Sequence, residues 1–286
     1  TGRPDYSHRV SIGPAGRNLI FLISQPRAGS TLLQRMLGAH PDVHTTSEPW
    51  IALHPVMALR DGGMSAVYDH GLARSATLDF LSGLPHGEAT YVDAVRQMLL
   101  VLYDAALDSS GKRVFLDKTP RYYFIVSELA RIFPGARFVL LIRNPLAVLS
   151  SILETWVRTP SASGLNGFWH DLLTAPRHLV DGAVALGGAA TVVSYESLVR
   201  TPDVEMRRLC DRLGIAFLPE MLEYGCGADA ARWALGDQGL VYDERRPVGG
   251  RVDRWSEVLR RFPNWHALGH VYLECLGPSL CHRLGY

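Results

Sequence analysis

The chain is short of charge imbalance, of cysteine and of long apolar runs. Its 29 Lys and Arg stand against 28 Asp and Glu, a formal net charge of +1. That balance offers no broad surface for nucleic acid or an anionic membrane, so an anion site must come from local placement of a few cations. The four cysteines, Cys210, Cys226, Cys275 and Cys281, fall in the last third without a CxxC pair. Their spacing suggests neither a zinc site nor a dense disulfide framework, and they read as reduced thiols. No apolar stretch approaches the roughly 20 residues needed to cross a bilayer, and the first residues lack a leader pattern. These absences read as a cytoplasmic protein. The first residue is Thr, as expected of a trimmed or excised domain. No internal repeat or low-complexity tract is visible.

What is there suits one sizeable α/β core. The chain has 286 residues, and 47% of them are hydrophobic. Four runs are almost continuously apolar: Leu19–Ser24, Arg113–Leu116, Arg137–Ile142 and Thr191–Ser194. Continuous rather than alternating apolar character predicts parallel strands covered on both faces. Helical periodicity separates them. Ile125, Leu129, Ile132 and Phe133 form one stripe, and Leu149, Ile152, Leu153 and Trp156 another. Asn144 and Pro145 give the second helix an N-cap and a first-turn proline. Thr201-Pro202-Asp203 opens a third helix, which turns Met206, Leu209, Cys210 and Leu213 inward and stops at Gly214. This alternation predicts a single α/β domain over residues 1–286, with a central parallel sheet flanked by helices. Residues 50–110 are too long for a simple crossover. They read as a helical insertion, with apolar periodicity over Leu78–Leu84 and Tyr91–Leu107. Residues 157–190 and 225–250 are rich in Gly, Ser and Pro and read as lids or acceptor-site loops.

The most informative segment runs from Leu19 to Leu33. An apolar strand enters the turn Gln25-Pro26-Arg27-Ala28-Gly29, and Ser30-Thr31-Leu32-Leu33 starts a helix. Such a turn presents unpaired N–H groups and the positive end of a helix dipole, which makes it a candidate phosphate or sulfate cradle. It resembles a Walker loop without the first Gly and without Lys before the hydroxyl pair. The nearby cation is Arg27, inside the turn.

Other chemical residues follow the other strands. Asp117-Lys118-Thr119-Pro120 follows the second, Arg143-Asn144-Pro145 the third and Tyr195-Glu196 the fourth. The carboxyl ends of parallel strands share one edge of the sheet, which holds the ligand crevice. Arg27, Lys118, Arg143 and Tyr195 are therefore expected to converge. Three cations and an aromatic around an anion cradle suit a nucleotide with several phosphate-type charges.

In these residues the chain resembles the sulfotransferases that use 3′-phosphoadenosine 5′-phosphosulfate (PAPS). Residues 25–33 resemble that family's 5′-phosphosulfate loop. Arg143-Asn144-Pro145, with Ser151 eight residues after Arg143, resembles its 3′-phosphate motif. Tyr195-Glu196-Ser197-Leu198 with Pro202 resembles the segment that places an aromatic near the adenine. Gly249-Gly250-Arg251 before Trp255 resembles the late loop over the 3′-phosphate. The motifs come in family order over roughly residues 19–260. The resemblance implies a P-loop NTPase-like three-layer fold, PAPS as co-substrate, adenosine 3′,5′-bisphosphate (PAP) as product and no metal. It also implies that Arg27, Ala28, Gly29, Ser30 and Thr31 hold the 5′-phosphosulfate. Arg143 and Ser151 would hold the 3′-phosphate, with Tyr195, Gly250 and Arg251 around the rest of the nucleotide. A sulfuryl donor needs no Mg²⁺ between β- and γ-phosphates, in keeping with the missing Walker lysine.

Sulfuryl transfer needs a base for the acceptor and a cation for the leaving phosphate oxygen. Lys118 is placed for the second role. Cytosolic members of the family carry a His two residues after that Lys, and here the position is Pro120. The segment His40-Pro41-Asp42-Val43 with Ser47-Glu48 resembles the tyrosylprotein and related bacterial branch. In that branch a Glu follows the loop Arg at this distance, 21 residues from Arg27 to Glu48. Glu48 is the expected base, with His54 and His266 as alternatives. Glu48 otherwise caps a helix beginning at Pro49. Blander roles stay open for the rest. Lys118 reads equally as a surface lysine, and Asp117 as a residue that orders its turn or pairs with an Arg. Arg143 reads as a helix-start salt bridge, Ser151 as a back-bonded serine, Tyr195 as packing under the next helix and Arg251 as a solvated charge. Trp50, Trp156, Phe168 and Trp169 read as core rather than acceptor platform. The rival functions are a P-loop kinase using Mg-ATP and a nucleotide-binding module without chemistry. The expected acceptor is a small-molecule, lipid, polyketide or carbohydrate hydroxyl, or an amine. Neither nucleic acid nor a membrane span is expected, and the sequence sets no oligomeric state.

Overall fold

A computed structural model describes residues 11–158, 162–224 and 245–286. Five strands form the central layer: Leu19–Ser24 (β1), Val43–Ser47 (β2), Val114–Lys118 (β3), Arg137–Ile142 (β4) and Ala190–Ser194 (β5). Their order is β2-β3-β1-β4-β5, and every pairing is parallel. β1 lies in the middle, and all six of its residues are buried. Successive side chains of a strand point to opposite faces. Leu19, Phe21 and Ile23 enter one core with Leu99, Tyr103, Phe133 and Leu179. Ile20 and Leu22 enter the other with Leu33, Met36, Leu37 and Leu209. Each such side chain contributes about 2 kcal/mol by leaving water, so apolar residues at the first five positions of β1 specify a three-layer fold.

The helices are Ser30–Gly38 (α1), Leu53–Met57 (α2), His70–Ser82 (α3), Glu88–Ser110 (α4), Val126–Ile132 (α5) and Pro145–Ile152 (α6). Ala175–Leu186 (α7), Tyr195–Arg200 (α8), Pro202–Leu213 (α9), Arg254–Arg260 (α10), Pro263–Leu276 (α11) and Pro278–Arg283 (α12) complete them. α2, α3 and α4 occupy the insertion between the first strands. Among the described residues, no helix is long and apolar enough to cross a membrane.

Three local readings are corrected. β2 is a fifth strand, absent from the four apolar runs. It lies at the sheet edge, and its His44, Thr45 and Thr46 give no apolar signal. β3 extends past Leu116 and carries Asp117 and Lys118 into register with Phe21 and Leu22. Residues 157–190 are not simply loop, since α7 spans Ala175–Leu186 and enters the core through Ala175 and Leu179. Its composition misleads because Pro176 sits in the first turn, where its missing N–H costs nothing. Gly182 gives room to Val126, whose Cγ1 would lie 3.0 Å from an added Cβ.

Candidate active site

The loop after β1 folds through two residues of positive φ, Arg27 at 68° and Gly29 at 98°. Gly29 has no room for a side chain, because a Cβ there would lie 2.4 Å from the Tyr195 ring. α1 then begins at Ser30 with no side chain capping its N-terminus. An uncapped start leaves first-turn N–H groups facing the turn, which is the arrangement an anion fills. Ser30 and Thr31 are both 5% exposed in that first turn.

Arg143, at the end of β4, closes the cradle from the side. Its guanidinium donates to the Arg27 carbonyl at 2.9 Å and lies 4.3 Å from the centre of the Tyr195 ring. Its Nε is buried without a hydrogen-bond partner, and burial lowers its pKa. A buried guanidinium N–H left unmade is costly unless an anion completes it. Asn144 caps α6, its Oδ1 accepting from the Leu146 and Ala147 N–H groups. The Asn144 N–H donates to Glu196 Oε1 at 3.0 Å, and Glu196 also accepts from the Ser194 and Tyr286 hydroxyls. The ends of β4 and β5 are thereby tied together beneath Arg143 and Tyr195. Among the described residues no carboxylate forms an ion pair with Arg143, and Tyr195 both packs against the core with Leu198 and Val199 and stacks on the Arg143 guanidinium.

Ser151 accepts from Arg27 Nε at 3.1 Å, and Thr155 accepts from the same guanidinium at 3.3 Å. A π-helical turn, Leu153–Val157, continues α6 and carries Thr155. The wider turn rotates Trp156 out of the expected buried stripe, leaving it 40% exposed with Arg27 5.7 Å from its ring centre.

Lys118 ends β3 and is fully buried, so it is not a surface lysine. Its ammonium donates to Glu48 Oε1 at 2.8 Å, while the Trp50 indole donates to Oε2 at 3.3 Å. Glu48 therefore caps no helix; α2 starts only at Leu53. Of the three candidate bases, Glu48 is the one set against Lys118. His54 is exposed on α2, and His266 is exposed on α11 edge-on to His270. Among the described residues, Asp117 pairs with no Arg. It accepts from the Tyr103 hydroxyl at 2.6 Å and the Thr119 hydroxyl at 2.8 Å, and burial pushes its carboxyl up to about 6.

An open pocket of about 490 Å³ adjoins this group, lined by Arg121, Thr155, Trp156, Arg158 and Phe168. Trp156 and Phe168 stack there with ring centres 5.0 Å apart, and Trp169 is 51% exposed. Trp156 and Trp169 are thus exposed rather than core residues, while Phe168 is partly buried against the core. Arg121 forms a two-pronged pair with buried Asp171 at 2.9 and 2.6 Å, and Tyr123 donates to the same carboxylate. Sequence reasoning missed Thr155, Arg121 and Asp171; only the place of Arg121 three residues after Lys118 hinted at one of them. Gly249–Arg251 forms a 3-10 turn, and an added Cβ on Gly249 would lie 3.0 Å from the Val199 carbonyl. Gly250 is exposed within that turn. The Arg251 side chain and residues 225–244 lie outside the described residues. Among the described residues, no group of His, Cys, Asp and Glu could hold a metal ion.

A sequence model of the sulfotransferase family matches residues 19–219, more than half of the chain. The chain belongs to the sulfotransferase family. Among relatives of this family member, the nodulation protein NoeE of Sinorhizobium fredii is 33% identical over 270 residues, covering 84% of this chain and 60% of NoeE. Protein-tyrosine sulfotransferase 1 of Danio rerio is 27% identical over 214 residues, covering 72% of this chain and 56% of the relative. The chain thus spans between half and two thirds of the length of these two proteins. A sulfotransferase domain from the Synechococcus PCC 7002 olefin synthase shares the fold with TM-score 0.58 and 22% identity, covering 95% of this chain and 98% of that one. Mouse sulfotransferase SULT7A1, solved in complex with PAP, shares it with TM-score 0.53 and 13% identity, covering 94% and 88%.

Proposed function

We propose that this family member transfers a sulfuryl group from PAPS to a hydroxyl or amine acceptor and releases PAP. The reading is carried by the buried Lys118–Glu48 pair at the same carboxyl edge of the parallel sheet as an uncapped helix start and an arginine with an unmade buried N–H. A solved relative holding PAP supports the choice of nucleotide. The uncapped amides of α1, with Ser30 and Thr31, suit the 5′ group. Arg143 suits the 3′-phosphate, because its open Nε and planar fork fit an oxyanion. PAPS supplies the group to be transferred.

Glu48 takes the acceptor proton as the acceptor oxygen forms its bond to sulfur. The sulfur–oxygen bond to the phosphate breaks, and its electron pair goes to the phosphate oxygen. Lys118 and Arg27 stabilise the charge that grows there. The contact between Lys118 and Glu48 holds the carboxylate in place beside the ammonium.

The test is transfer of ³⁵S from labelled PAPS to a panel of hydroxyl acceptors, alongside thermal unfolding with each nucleotide. Stabilisation by PAP without Mg²⁺, together with label transfer, is the expected result. Stabilisation by Mg-ATP alone would overturn the reading in favour of a kinase.

A further inference from the structure

We infer that the open pocket beside Trp156 binds the acceptor and selects compounds that carry a carboxylate or similar anionic group on an apolar body. This inference rests on the sulfotransferase reading above.

Position is the first argument. The pocket shares walls with both sides of the proposed reaction. Thr155 accepts from Arg27, and Trp156 lies under the same guanidinium. On the opposite side, Arg121 lies 5.7 Å from the centre of the Trp50 ring, and Trp50 donates to Glu48. A molecule in this pocket is therefore one residue removed from Arg27 of the cradle and two, Arg121 and Trp50, from Glu48. About 490 Å³ suits a ligand of ordinary small-molecule size.

Charge is the second argument. None of the five lining residues is acidic, and two are arginines. Arg158 takes φ 56° at the end of the π-helical turn, and its Nε donates to the Thr155 carbonyl at 2.7 Å. That bond fixes the stem of an exposed side chain. Among the described residues, no carboxylate pairs with Arg158. Glu154, on the same turn, is engaged instead by Arg254 and Arg261, each at 3.1 Å. Arg121 spends Nε and one terminal nitrogen on Asp171 and keeps its other terminal nitrogen, with a third of the side chain exposed. Two held guanidinium groups beside the stacked Trp156 and Phe168 suit an anionic group attached to an apolar body.

The test uses matched acceptors that differ only in charge. One pair is octyl β-D-glucuronide and octyl β-D-glucoside, and the other is 4-hydroxyphenylacetate and its methyl ester. PAP is titrated first by calorimetry, and the acceptors are then titrated into the PAP-loaded protein. The carboxylate member of at least one pair is expected to bind tenfold or more tightly than its neutral partner. Arg158→Gln, at an exposed site, should abolish that preference while leaving PAP affinity unchanged. Equal or undetectable binding in both pairs, or a preference that survives Arg158→Gln, would overturn the inference and leave the sulfotransferase reading standing. Failure of PAP itself to bind would overturn both.

Discussion

Glu48→Gln tests stability and chemistry through the same pair of atoms. Lys118 has no exposed side-chain surface, and Glu48 has 15%. In the wild type, one carboxylate oxygen accepts from the ammonium and the other from the Trp50 indole. Gln keeps the volume but offers one acceptor oxygen, so its amide N–H₂ must face one of two donors. Removing a partner from a fully buried ion pair costs about 3–5 kcal/mol. Gln retains one neutral hydrogen bond of about 1 kcal/mol, and the Glu48 side lies partly at the surface. The expected loss is therefore about 2 kcal/mol, or a fall in Tm of about 4 °C for a chain of this size. Adding Lys118→Met removes the stranded ammonium, so the double variant should regain most of that loss in urea unfolding. A positioned general base is worth about 10²–10⁴ in rate, and Glu48→Gln should lower kcat by that factor at saturating PAPS. PAP affinity should stay within about twofold, because Glu48 makes no contact with Arg143 or α1. Wild-type turnover in the variant would refute the base assignment. An unchanged urea midpoint would refute the energetics of the buried pair. Joint loss of PAP binding and turnover would mean that Glu48 shapes the donor cradle instead.

Other perturbations separate the remaining parts. Arg143→Ala removes a charge-assisted partner worth about 2 kcal/mol and should weaken PAP about 30-fold by calorimetry; unaltered affinity would remove Arg143 from the nucleotide site. Gly29→Ala places a Cβ 2.4 Å from the Tyr195 ring at φ 98°, so PAP stabilisation in thermal unfolding should disappear. A variant that still binds PAP normally would show that the loop tolerates rearrangement. Asp117 has a folded-state pKa of about 6 against 3.8 for a free carboxyl, so the folded protein binds the proton more tightly. Stability from this group is present below pH 4 and is lost as pH rises towards 6, by about 3 kcal/mol. Asp117→Asn should flatten the difference between urea unfolding at pH 4.5 and pH 7.5. An identical pH dependence in the two proteins would refute the burial argument.

The parts of the fold and site that were legible in the sequence share a physical cause. β1 and β4 could be read because parallel strands covered on both faces are apolar at nearly every position, and β5 because its Val192 and Val193 stay apolar even at the sheet edge. α9 could be read because Pro202 and Gly214 mark its ends and four inward residues keep helical spacing. The meeting of Arg27, Arg143 and Tyr195 followed from strand direction alone, since side chains just past parallel strands share an edge, and Lys118 ends the neighbouring strand at that edge. β2 was hidden because an edge strand can carry His and Thr. The swing of Trp156 to the pocket was hidden because a π-helical turn changes the period without changing the apolar pattern. Arg121 with Asp171, 50 residues apart, left no local signal. The same is true of the bond from Arg27 to Ser151, which depends on where a guanidinium swings rather than on spacing.

Gly29 has a steric cause. A Walker loop reads Gly-Lys-Ser/Thr, with the Lys in the first turn of the helix; matched on that glycine, the chain has Ser30 in the lysine's place and Gly29 as the N-cap before it. Tyr195 fills the space that any side chain on Gly29 would need. The same ring lies against Arg143, so moving it aside would also remove the support of that cation. Ser30 brings no charge, so a cation for the leaving group must come from outside the helix start. β3 supplies one, because its last residue, Lys118, lies in register with Leu22 of β1 and is too deeply buried to serve at the surface. Burial of that ammonium in turn requires a nearby carboxylate, which Glu48 provides from the segment after β2. Gly29→Lys should therefore destroy nucleotide binding.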